Sequence, residues 1–225
     1  MTATPLPLAA ALFDMDGLLV DTEPAWTVAE VELAQRLGGE WSDELKARVV
    51  GTRIETAVPI ILTGLGHVPT ADLVEHSMAD LLARMVELYR GELRPLPGAV
   101  ELLTGLRAAG VPVALVSSSY RVLVDAVVDR LGLRFDLVLA GDEVGHAKPH
   151  PEPYLTACAR LAVDPACAVV LEDSPAGIAS GEAAGCAVVA VPSVPGVRPA
   201  PGPRRLVLSS LDEVGVAGLR DLVAG

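Results

Sequence analysis

Aromatic side chains are scarce in this sequence. They make up 3% of its 225 residues, whereas 51% of the residues are hydrophobic. A core with so few aromatic residues must be packed mainly with alanine, valine and leucine, which suits buried strands covered by helices. Charged residues make up only 20% of the chain, far from the charge-rich composition of disordered proteins. The composition therefore predicts a folded α/β protein, and the length allows one large domain or two modest ones.

Basic residues are outnumbered by acidic ones. The chain has 17 Lys and Arg against 29 Asp and Glu, a formal net charge of -12 at pH 7. Nucleic acids and anionic membrane surfaces are bound through clustered Lys and Arg, so neither is expected as a partner. An anionic small molecule would also be repelled by this field. If such a ligand binds, a metal ion or a local cation must reverse the sign of the charge inside the site.

Cysteines are few, and long apolar runs are missing. Cys158, Cys167 and Cys186 form no CxxC pair or Cys/His cluster, which argues against a structural zinc site and favours small apolar residues in a reducing compartment. No apolar run reaches membrane-spanning length, and the amino-terminal run lacks the basic segment of a signal peptide. We therefore expect a cytoplasmic protein.

The pattern of apolar residues divides the chain into two kinds of segment. Residues 8–13 form a short apolar run, typical of a strand that is buried on both faces. The periodicity is helical from Thr22, a candidate helix cap, to Leu93. Beyond Pro95, apolar runs alternate with helical segments, which predicts a parallel sheet with right-handed crossovers. The further predicted strands are 111–116, 137–140, 168–171, 187–191 and 206–208, with a loop at 194–203.

These segments predict a discontinuous core and an insertion. We expect a Rossmann-like parallel sheet in a three-layer α/β/α core domain, formed by residues 1–21 and 94–225. A small all-helical cap domain, residues 22–93, is inserted after the first strand. Ligands of open parallel sheets bind outside the carboxyl ends of the strands, so the residues just after each strand are the candidate site.

Two acids follow the first predicted strand. Since side chains alternate along an extended chain, Asp14 and Asp16 point the same way and Met15 points to the opposite face. Neighbouring carboxylates repel each other unless they share a cation or a proton. The alternative is that Asp16 belongs to a simple turn with Gly17 and that Asp14 is a cap.

Further polar residues follow the later strands. Ser117 and Ser118 offer a hydroxyl and backbone N–H groups to a phosphate oxygen, Lys148 is a loop cation, and Glu172 and Asp173 are two more acids. Each of these residues alone also fits a loop or a helix cap. Together at one sheet edge they predict a cage of oxygen ligands beside one cation, which is the environment that Mg²⁺ prefers.

Four motifs in this order resemble those of a known family. The run Asp14-Met15-Asp16-Gly17-Leu18-Leu19-Val20-Asp21-Thr22-Glu23 closely resembles the first signature of the haloacid dehalogenase superfamily. Ser117, Lys148 and Glu172-Asp173 match its other three signatures. The resemblance covers nearly the whole chain and implies the fold of that superfamily, with its helical cap inserted after the first signature.

The resemblance also implies catalytic and metal-binding roles. Asp14 would be the nucleophile that forms an aspartyl-phosphate, and Asp16 would be the acid and base. Mg²⁺ would be held by the Asp14 carboxylate, the Asp16 backbone carbonyl and Asp173, with Glu172 as a secondary ligand. Dehalogenation is not expected, because that branch of the superfamily lacks the acids present here as Asp16 and Asp173.

Phosphate and substrate contacts are implied in the same way. Ser117 and Ser118 would bind phosphate oxygens, and Lys148 would offset the charge of the phosphate and the nucleophile. The runs Glu23-Pro24-Ala25-Trp26, Gly51-Thr52-Arg53-Ile54 and Lys148-Pro149-His150-Pro151 look like the branch that dephosphorylates hexose and hexitol phosphates. Candidate substrate residues of the cap are therefore Glu23, Trp26 and Arg53. The simpler interpretations are cap core for Trp26 and a solvated helix residue for Arg53.

The expected function is hydrolysis of a small phosphate monoester, a sugar or hexitol phosphate, by a Mg²⁺-dependent phosphatase. A β-phosphoglucomutase shares all four signatures, although Arg53 lies one place from where the phosphate-binding arginine of a mutase would align. The sequence is also compatible with phosphoglycolate as the substrate and with a non-catalytic phosphate-sensing module.

His67, His76, His146 and His150 show no metal-binding spacing, so no chemistry is assigned to them. The oligomeric state is left open, and a monomer is compatible with the sequence.

Overall fold

One parallel sheet organises the chain. The computed structural model describes residues 6–49, 52–193 and 199–225. Their strands have the order β3-β2-β1-β4-β5-β6, and every neighbouring pair is parallel. The strands are β1 (Ala10–Phe13), β2 (Val113–Val116), β3 (Leu137–Leu139), β4 (Ala168–Glu172), β5 (Ala187–Ala190) and β6 (Arg205–Val207). The four strands β1, β2, β4 and β5 are fully buried, as their continuous apolar sequences predict.

Helices connect the strands, and their ends follow local sequence signals. The Ser174 hydroxyl caps α8, which begins at Pro175, and Gly132 ends α6 with a left-handed φ of 62°. The α-helices of the described residues are α1 (Glu23–Arg36), α2 (Asp43–Val49), α3 (Ile54–Gly64), α4 (Ala71–Tyr89), α5 (Ala99–Ala108), α6 (Arg121–Leu131), α7 (Glu152–Leu161), α8 (Pro175–Ala183) and α9 (Val216–Ala224).

The sheet separates two apolar layers. Ala11 and Phe13 of β1 belong to a core that includes residues of α5, α6 and α9. Ala10 and Leu12, which alternate with them, belong to a second core with residues of α7 and α8. Because alternate side chains of one strand reach helices on opposite faces, the predicted three-layer α/β/α arrangement is confirmed.

Helices α1 to α4 lie between β1 and α5 in the chain. Helix α1 packs against α4, α2 packs against α3, and α3 packs against α4. The described residues of the segment 22–93 contain no strand. The two connections run side by side, since Val20 forms a β-bridge with Pro95 and the Asp21 N–H donates to the Arg94 carbonyl at 3.1 Å. This arrangement is consistent with an inserted cap, and the division into two domains stays a prediction.

The observed strands differ from the predicted ones mainly at their ends. Strand β2 begins at Val113 rather than at Val111, whereas β4 continues to Glu172. Glu172 is therefore the last residue of a buried strand and not the first residue after it. Of the predicted loop at 194–203, residues 194–198 lie outside the described part of the chain. None of the described helices combines the length and the apolar character needed to span a bilayer.

Candidate active site

Strands β1 and β4 bring three acids together. Phe13 is paired with Leu171, and the Asp14 N–H donates to the Leu171 carbonyl at 3.0 Å. This register places Asp14 beside Glu172 and Asp173, and one carboxylate oxygen of each acid lies within 4.8 Å of the others. All three side chains are buried. The acids lie between β1 and β4, where the strand order reverses and parallel sheets bind ligands.

Lys148 is the cation of this cluster. Its Nζ lies 2.6 Å from Asp14 Oδ1, 2.6 Å from Glu172 Oε1 and 2.9 Å from the Val116 carbonyl oxygen. Its side chain is only 4% exposed. Burial lowers the pKa of the Lys148 ammonium, but Asp14 and Glu172 together raise that pKa above its usual value. The ammonium therefore stays charged and is held against the predicted nucleophile.

Glu172 holds Lys148 in place. Its Oε1 also accepts a hydrogen bond from the Tyr154 hydroxyl at 2.6 Å, and its Oε2 accepts from the Ser174 hydroxyl at 3.1 Å. These partners engage both carboxylate oxygens. Nothing in the sequence singled out Tyr154, because a tyrosine on an amphipathic helix is usually a core residue.

The Asp16 carboxylate accepts hydrogen bonds from three hydroxyl groups. Thr22 donates to Oδ1 at 2.8 Å, and Ser119 and Ser117 donate to Oδ2 at 2.9 and 3.2 Å. Thr22 was expected to cap α1; it does occupy that position, but its hydroxyl makes no capping hydrogen bond and binds Asp16 instead. Met15 is completely buried in the apolar core, as the alternation of side chains predicts.

The predicted phosphate-binding serines have different surroundings. Ser117 is buried, donates to Asp16 and accepts the Ser119 N–H at 2.9 Å. Ser118 is exposed. Their contacts with phosphate stay a prediction, and Ser119, the next residue of the same run, is an additional polar group of the site.

Gly17 allows the chain to pass close to Asp173. Its φ is +83°, and a Cβ at this position would lie 2.3 Å from Asp173 Oδ2. A larger residue would therefore be strained in its backbone and would displace the carboxylate. The Ser193 hydroxyl binds the same carboxylate oxygen.

The cluster holds more negative than positive charge. Burial, then the charge of Glu172, raises the pKa of Asp14 well above its ordinary value despite the nearby Lys148. Burial also raises the pKa of Asp16, and burial with Glu172 raises that of Asp173 to about 7. Burial is the first cause of each shift, and the charge of Glu172 adds to it at Asp14 and Asp173, so a bound cation would lower the cost of keeping these acids ionised. Closely spaced carboxylates are the ligands of hard divalent cations, so this donor set fits a divalent metal ion.

The predicted cap residues lie at separate places. Glu23 is exposed and pairs with Lys46 Nζ of α2 at 2.6 Å, whereas Trp26 is half-buried and packs against the apolar core. Arg53 precedes α3, and its guanidinium donates to the Gly141 carbonyl. Substrate contacts of these residues stay a prediction.

Helix α3 contacts the loop after β2 through Glu55. The Tyr120 hydroxyl donates to Glu55 Oε1 at 2.6 Å. This hydrogen bond joins the helical segment to the loop that carries Ser117 and Ser119, and the contact between Arg53 and Gly141 joins it to the segment after β3.

Two histidines adopt an arrangement that their spacing did not suggest. His146 and His150 flank the Lys148 loop, and a ring nitrogen of each lies within 4.8 Å of the other and of a Glu152 oxygen. No chemistry was assigned to these residues from their spacing, and a metal-binding role for this grouping has no test in the structure itself. His67 Nε2 instead lies 2.8 Å from the Leu37 carbonyl oxygen, and His76 Nδ1 lies 2.6 Å from the Asp72 carbonyl oxygen.

Comparisons with known proteins give the same picture over most of the chain. A family model described as haloacid dehalogenase-like hydrolase matches residues 8–185. Hexitol phosphatase B of Escherichia coli K12 is 34% identical over 197 residues, which are 85% of this chain and 86% of that protein. A phosphorylated carbohydrates phosphatase of Thermotoga maritima is 31% identical over 180 residues, 79% of this chain and 82% of that protein.

A solved structure extends the similarity to the whole fold. The crystal structure of CbbY from Rhodobacter sphaeroides in complex with phosphate has a TM-score of 0.83 and 28% identity, and the match covers 94% of this chain and 99% of that one. The family model and the phosphatases among the relatives identify a phosphoric monoester hydrolase. This chain belongs to the family of haloacid dehalogenase-like hydrolases.

Proposed function

We propose that this protein hydrolyses the phosphate monoester of a sugar or hexitol with the help of Mg²⁺, and that Asp14 is the nucleophile. The observation that supports this most directly is the position of the Asp14 carboxylate. Its Oδ1 is held by Lys148 Nζ at 2.6 Å. Its Oδ2 accepts no hydrogen bond from the side chains of the described residues, so this oxygen is available to attack phosphorus.

The first step transfers the phosphoryl group to the protein. Asp14 Oδ2 forms a bond to phosphorus while the bond from phosphorus to the ester oxygen breaks. The electron pair of that bond leaves with the alcohol oxygen, and protonated Asp16 donates a proton to it. The raised pKa of Asp16, caused mainly by burial, favours the protonated form that this step requires. The products are a free alcohol and an aspartyl-phosphate at Asp14.

The second step hydrolyses the aspartyl-phosphate. Asp16, now ionised, accepts a proton from water as the water oxygen attacks phosphorus, and the bond between phosphorus and Asp14 breaks. Inorganic phosphate leaves, and both carboxyl groups return to their starting states. Hydrogen bonds from Thr22 and Ser119 keep the Asp16 carboxylate fixed through both steps.

Charge compensation requires a cation in addition to Lys148. The Asp14 and Asp173 carboxylates and the Asp16 backbone carbonyl would hold Mg²⁺, which when bound offsets the charge of the phosphoryl oxygens. Glu172 is better placed to orient Lys148, because its two oxygens already accept hydrogen bonds from Lys148, Tyr154 and Ser174. The -12 net charge of the chain makes this local compensation necessary for binding a dianion.

The substrate class is supported by the relatives and by the helical segment. Two of the relatives are phosphatases of hexitols and of phosphorylated carbohydrates. In this chain, the Glu23 and Lys46 pair presents a carboxylate and an ammonium, which suit the hydroxyl groups of a polyol. A mutase would use an arginine near position 53 to bind phosphate, but the Arg53 guanidinium donates to the Gly141 carbonyl. We therefore propose hydrolysis rather than return of the phosphoryl group to a sugar.

A phosphate-release assay tests this proposal. The purified protein is incubated with sorbitol 6-phosphate, glucose 6-phosphate, β-glucose 1-phosphate and phosphoglycolate, with Mg²⁺ or with EDTA. Free phosphate from a hexitol or hexose phosphate only in the presence of Mg²⁺ is the expected result. Conversion of β-glucose 1-phosphate into its isomer without release of phosphate would identify a mutase. Inactivity of the folded protein towards every ester would favour a phosphate sensor.

The nucleophile is tested by substitution. Asp14→Asn should lower phosphate release by about 10³-fold or more, because the amide is a poor nucleophile. Asp129→Asn, the same change at an exposed position of α6, is the matched control and should leave the rate unchanged. An Asp14→Asn variant as active as this control would refute the assignment.

A further inference from the structure

The loop that carries Lys148 has a second cluster of potential ligands on its outer side. We propose that His146, His150 and Glu152 form a binding site for a borderline divalent cation, with Zn²⁺ as the best match. This site is separate from the buried acids of the active site and does not depend on the proposed reaction.

The three side chains already converge. His146 Nδ1 lies 2.5 Å from Glu152 Oε2, and His150 Nδ1 lies 4.0 Å from the same oxygen. The two imidazole rings have centroids 4.5 Å apart and planes inclined at 31°. One potential ligand atom of each residue lies within 4.8 Å of the other two, so small movements of the rings would bring all three around one ion.

Glu152 is fixed before any ion binds. As the first residue of α7, it accepts the N–H groups of Gly145 at 2.6 Å and His146 at 3.1 Å. The hydrogen bond with His146 and the backbone N–H groups lower the pKa of the carboxyl group, so it is ionised at neutral pH. The His150 carbonyl is anchored by the Ser180 hydroxyl at 2.7 Å. These contacts reduce the loss of conformational freedom on binding.

The histidine rings retain the freedom to close around an ion. Their side chains are 68% exposed at His146 and 50% exposed at His150. Bonds from tetrahedral Zn²⁺ to nitrogen and oxygen are about 2 Å long, which separates two ligand atoms by more than about 3 Å. The His150 ring must therefore move towards Glu152, and the His146 ring must move away from Glu152 Oε2 to admit the ion. The hydrogen bond that the Glu152 N–H donates to His150 Nδ1 at 3.2 Å would be replaced, and water can satisfy that N–H at an exposed site.

The donor set selects the kind of metal. Two imidazoles and one carboxylate suit Zn²⁺ and leave one tetrahedral position for water. Mg²⁺ prefers oxygen ligands in an octahedral arrangement and does not compete well for nitrogen. The protein would therefore hold two different cations, one at the buried acids and one at this exposed cluster.

Binding at this cluster would also tie the ends of the Lys148 loop together. His146 and His150 lie on either side of Lys148 in the sequence, and Lys148 contacts Asp14. A bound ion would therefore restrain the segment that places this ammonium, and it would stabilise the folded protein by mass action.

Titration calorimetry with ZnCl₂ tests the site directly. The full chain is kept in saturating Mg²⁺, so that the buried acids are occupied. We expect one Zn²⁺ per chain in the wild type and a loss of affinity of about tenfold or more in His146→Ala, His150→Ala and Glu152→Gln. His76→Ala removes an exposed histidine of α4 and should bind Zn²⁺ like the wild type.

Thermal unfolding gives a second measurement that does not depend on catalysis. Zn²⁺ should raise the Tm of the wild type and of His76→Ala, but not that of a variant lacking both His146 and His150. Absence of Zn²⁺ binding to the wild type would overturn the proposal. Equal affinity of the wild type and the His146→Ala and His150→Ala variants would overturn it as well.

Discussion

Two tyrosine hydroxyls make hydrogen bonds of the same length in different surroundings. Tyr154 donates to Glu172 at 2.6 Å inside the core, and Tyr120 donates to Glu55 at 2.6 Å near the surface. A buried carboxylate that loses its donor keeps its desolvation cost, whereas water replaces the donor at an exposed one. Tyr154→Phe should therefore lower the free energy of unfolding by about 1–3 kcal/mol, and Tyr120→Phe by less than about 0.5 kcal/mol. Urea denaturation of both variants measures the difference, and equal losses would contradict it.

A buried acid of α1 gives the stability a predictable pH dependence. Glu30 is 8% exposed, and burial, followed by the charge of Glu23, raises its pKa to about 7 despite the lowering effect of Lys46. In the unfolded chain the pKa is lower, so between these two values the folded state binds more protons than the unfolded state. Glu30 therefore costs stability progressively as the pH rises through this window, and the cost is complete above pH 7.

Glu30→Gln should remove this cost. The variant should be close to the wild type at about pH 5 and more stable by on the order of 2 kcal/mol at about pH 8. Urea denaturation at both pH values measures the change, with Glu75→Gln at an exposed position of α4 as the control for losing one acid. A wild-type protein as stable as Glu30→Gln at about pH 8 would show that Glu30 is ionised without cost.

Single residues also show where the sequence was informative about the site. Asp14, Asp16, Glu172 and Asp173 were singled out as acids close after apolar runs, and Lys148 by its match to a signature of the family. The structure places Lys148 against Asp14 and Glu172, with Asp173 beside them. Hydroxyl partners were harder to foresee. A threonine before a helix is usually a cap, so the direction of the Thr22 hydroxyl towards Asp16 depends on the packing of distant elements.

At the scale of elements, the contact between α8 and β4 depends on one glycine. A Cβ on Gly177 would lie 1.8 Å from Glu172 Oε1, and Glu172 cannot move aside without losing Lys148 and Tyr154. Gly177→Ala should therefore lower the free energy of unfolding by about 2–3 kcal/mol.

The same substitution in α5 should have the opposite sign. A Cβ on Gly105 would meet Val216 at 3.6 Å, an ordinary contact. Alanine is the better helix former, so Gly105→Ala should raise the free energy of unfolding by about 0.5–1 kcal/mol. Chemical denaturation of the two variants tests both signs, and a loss of stability in Gly105→Ala would contradict the helix-propensity argument.

Elements were predictable where a local pattern decides them. The first strand was predicted within residues 8–13 and is observed at Ala10–Phe13, because a short continuous apolar run is typical of a strand buried on both faces. The end of β4 was not predictable. Glu172 is polar, and its place inside the sheet depends on Lys148 and Tyr154, which neutralise and bind it from other elements.

The whole molecule carries a net charge of -12, which should slow the approach of an anionic substrate. Salt screens this repulsion over the distance at which encounter begins. At saturating Mg²⁺, kcat/KM for a phosphate monoester should therefore rise about two- to threefold between about 20 and 150 mM NaCl. Steady-state kinetics in both buffers provides the measurement.

Stability and metal occupancy must be separated from this effect. Unfolding by urea in the same two buffers shows whether the salt changes the folded fraction, and doubling the Mg²⁺ concentration shows whether the metal site is full. A fall of kcat/KM with salt under these conditions would mean that the local field of the site, rather than the total charge of the protein, controls the rate at which the substrate binds.

The order of the strands also determines when, during synthesis and folding, the sheet edge that carries Asp14 can form. Strand β1 precedes every other described strand in the chain, yet it lies in the middle of the sheet, with Phe13 paired to Leu115 on one side and Leu171 on the other. Pairings so distant in sequence form slowly. On the ribosome, the apolar strand that carries Asp14 emerges long before β4 is synthesised, so it must be shielded from other nascent chains until translation is nearly finished.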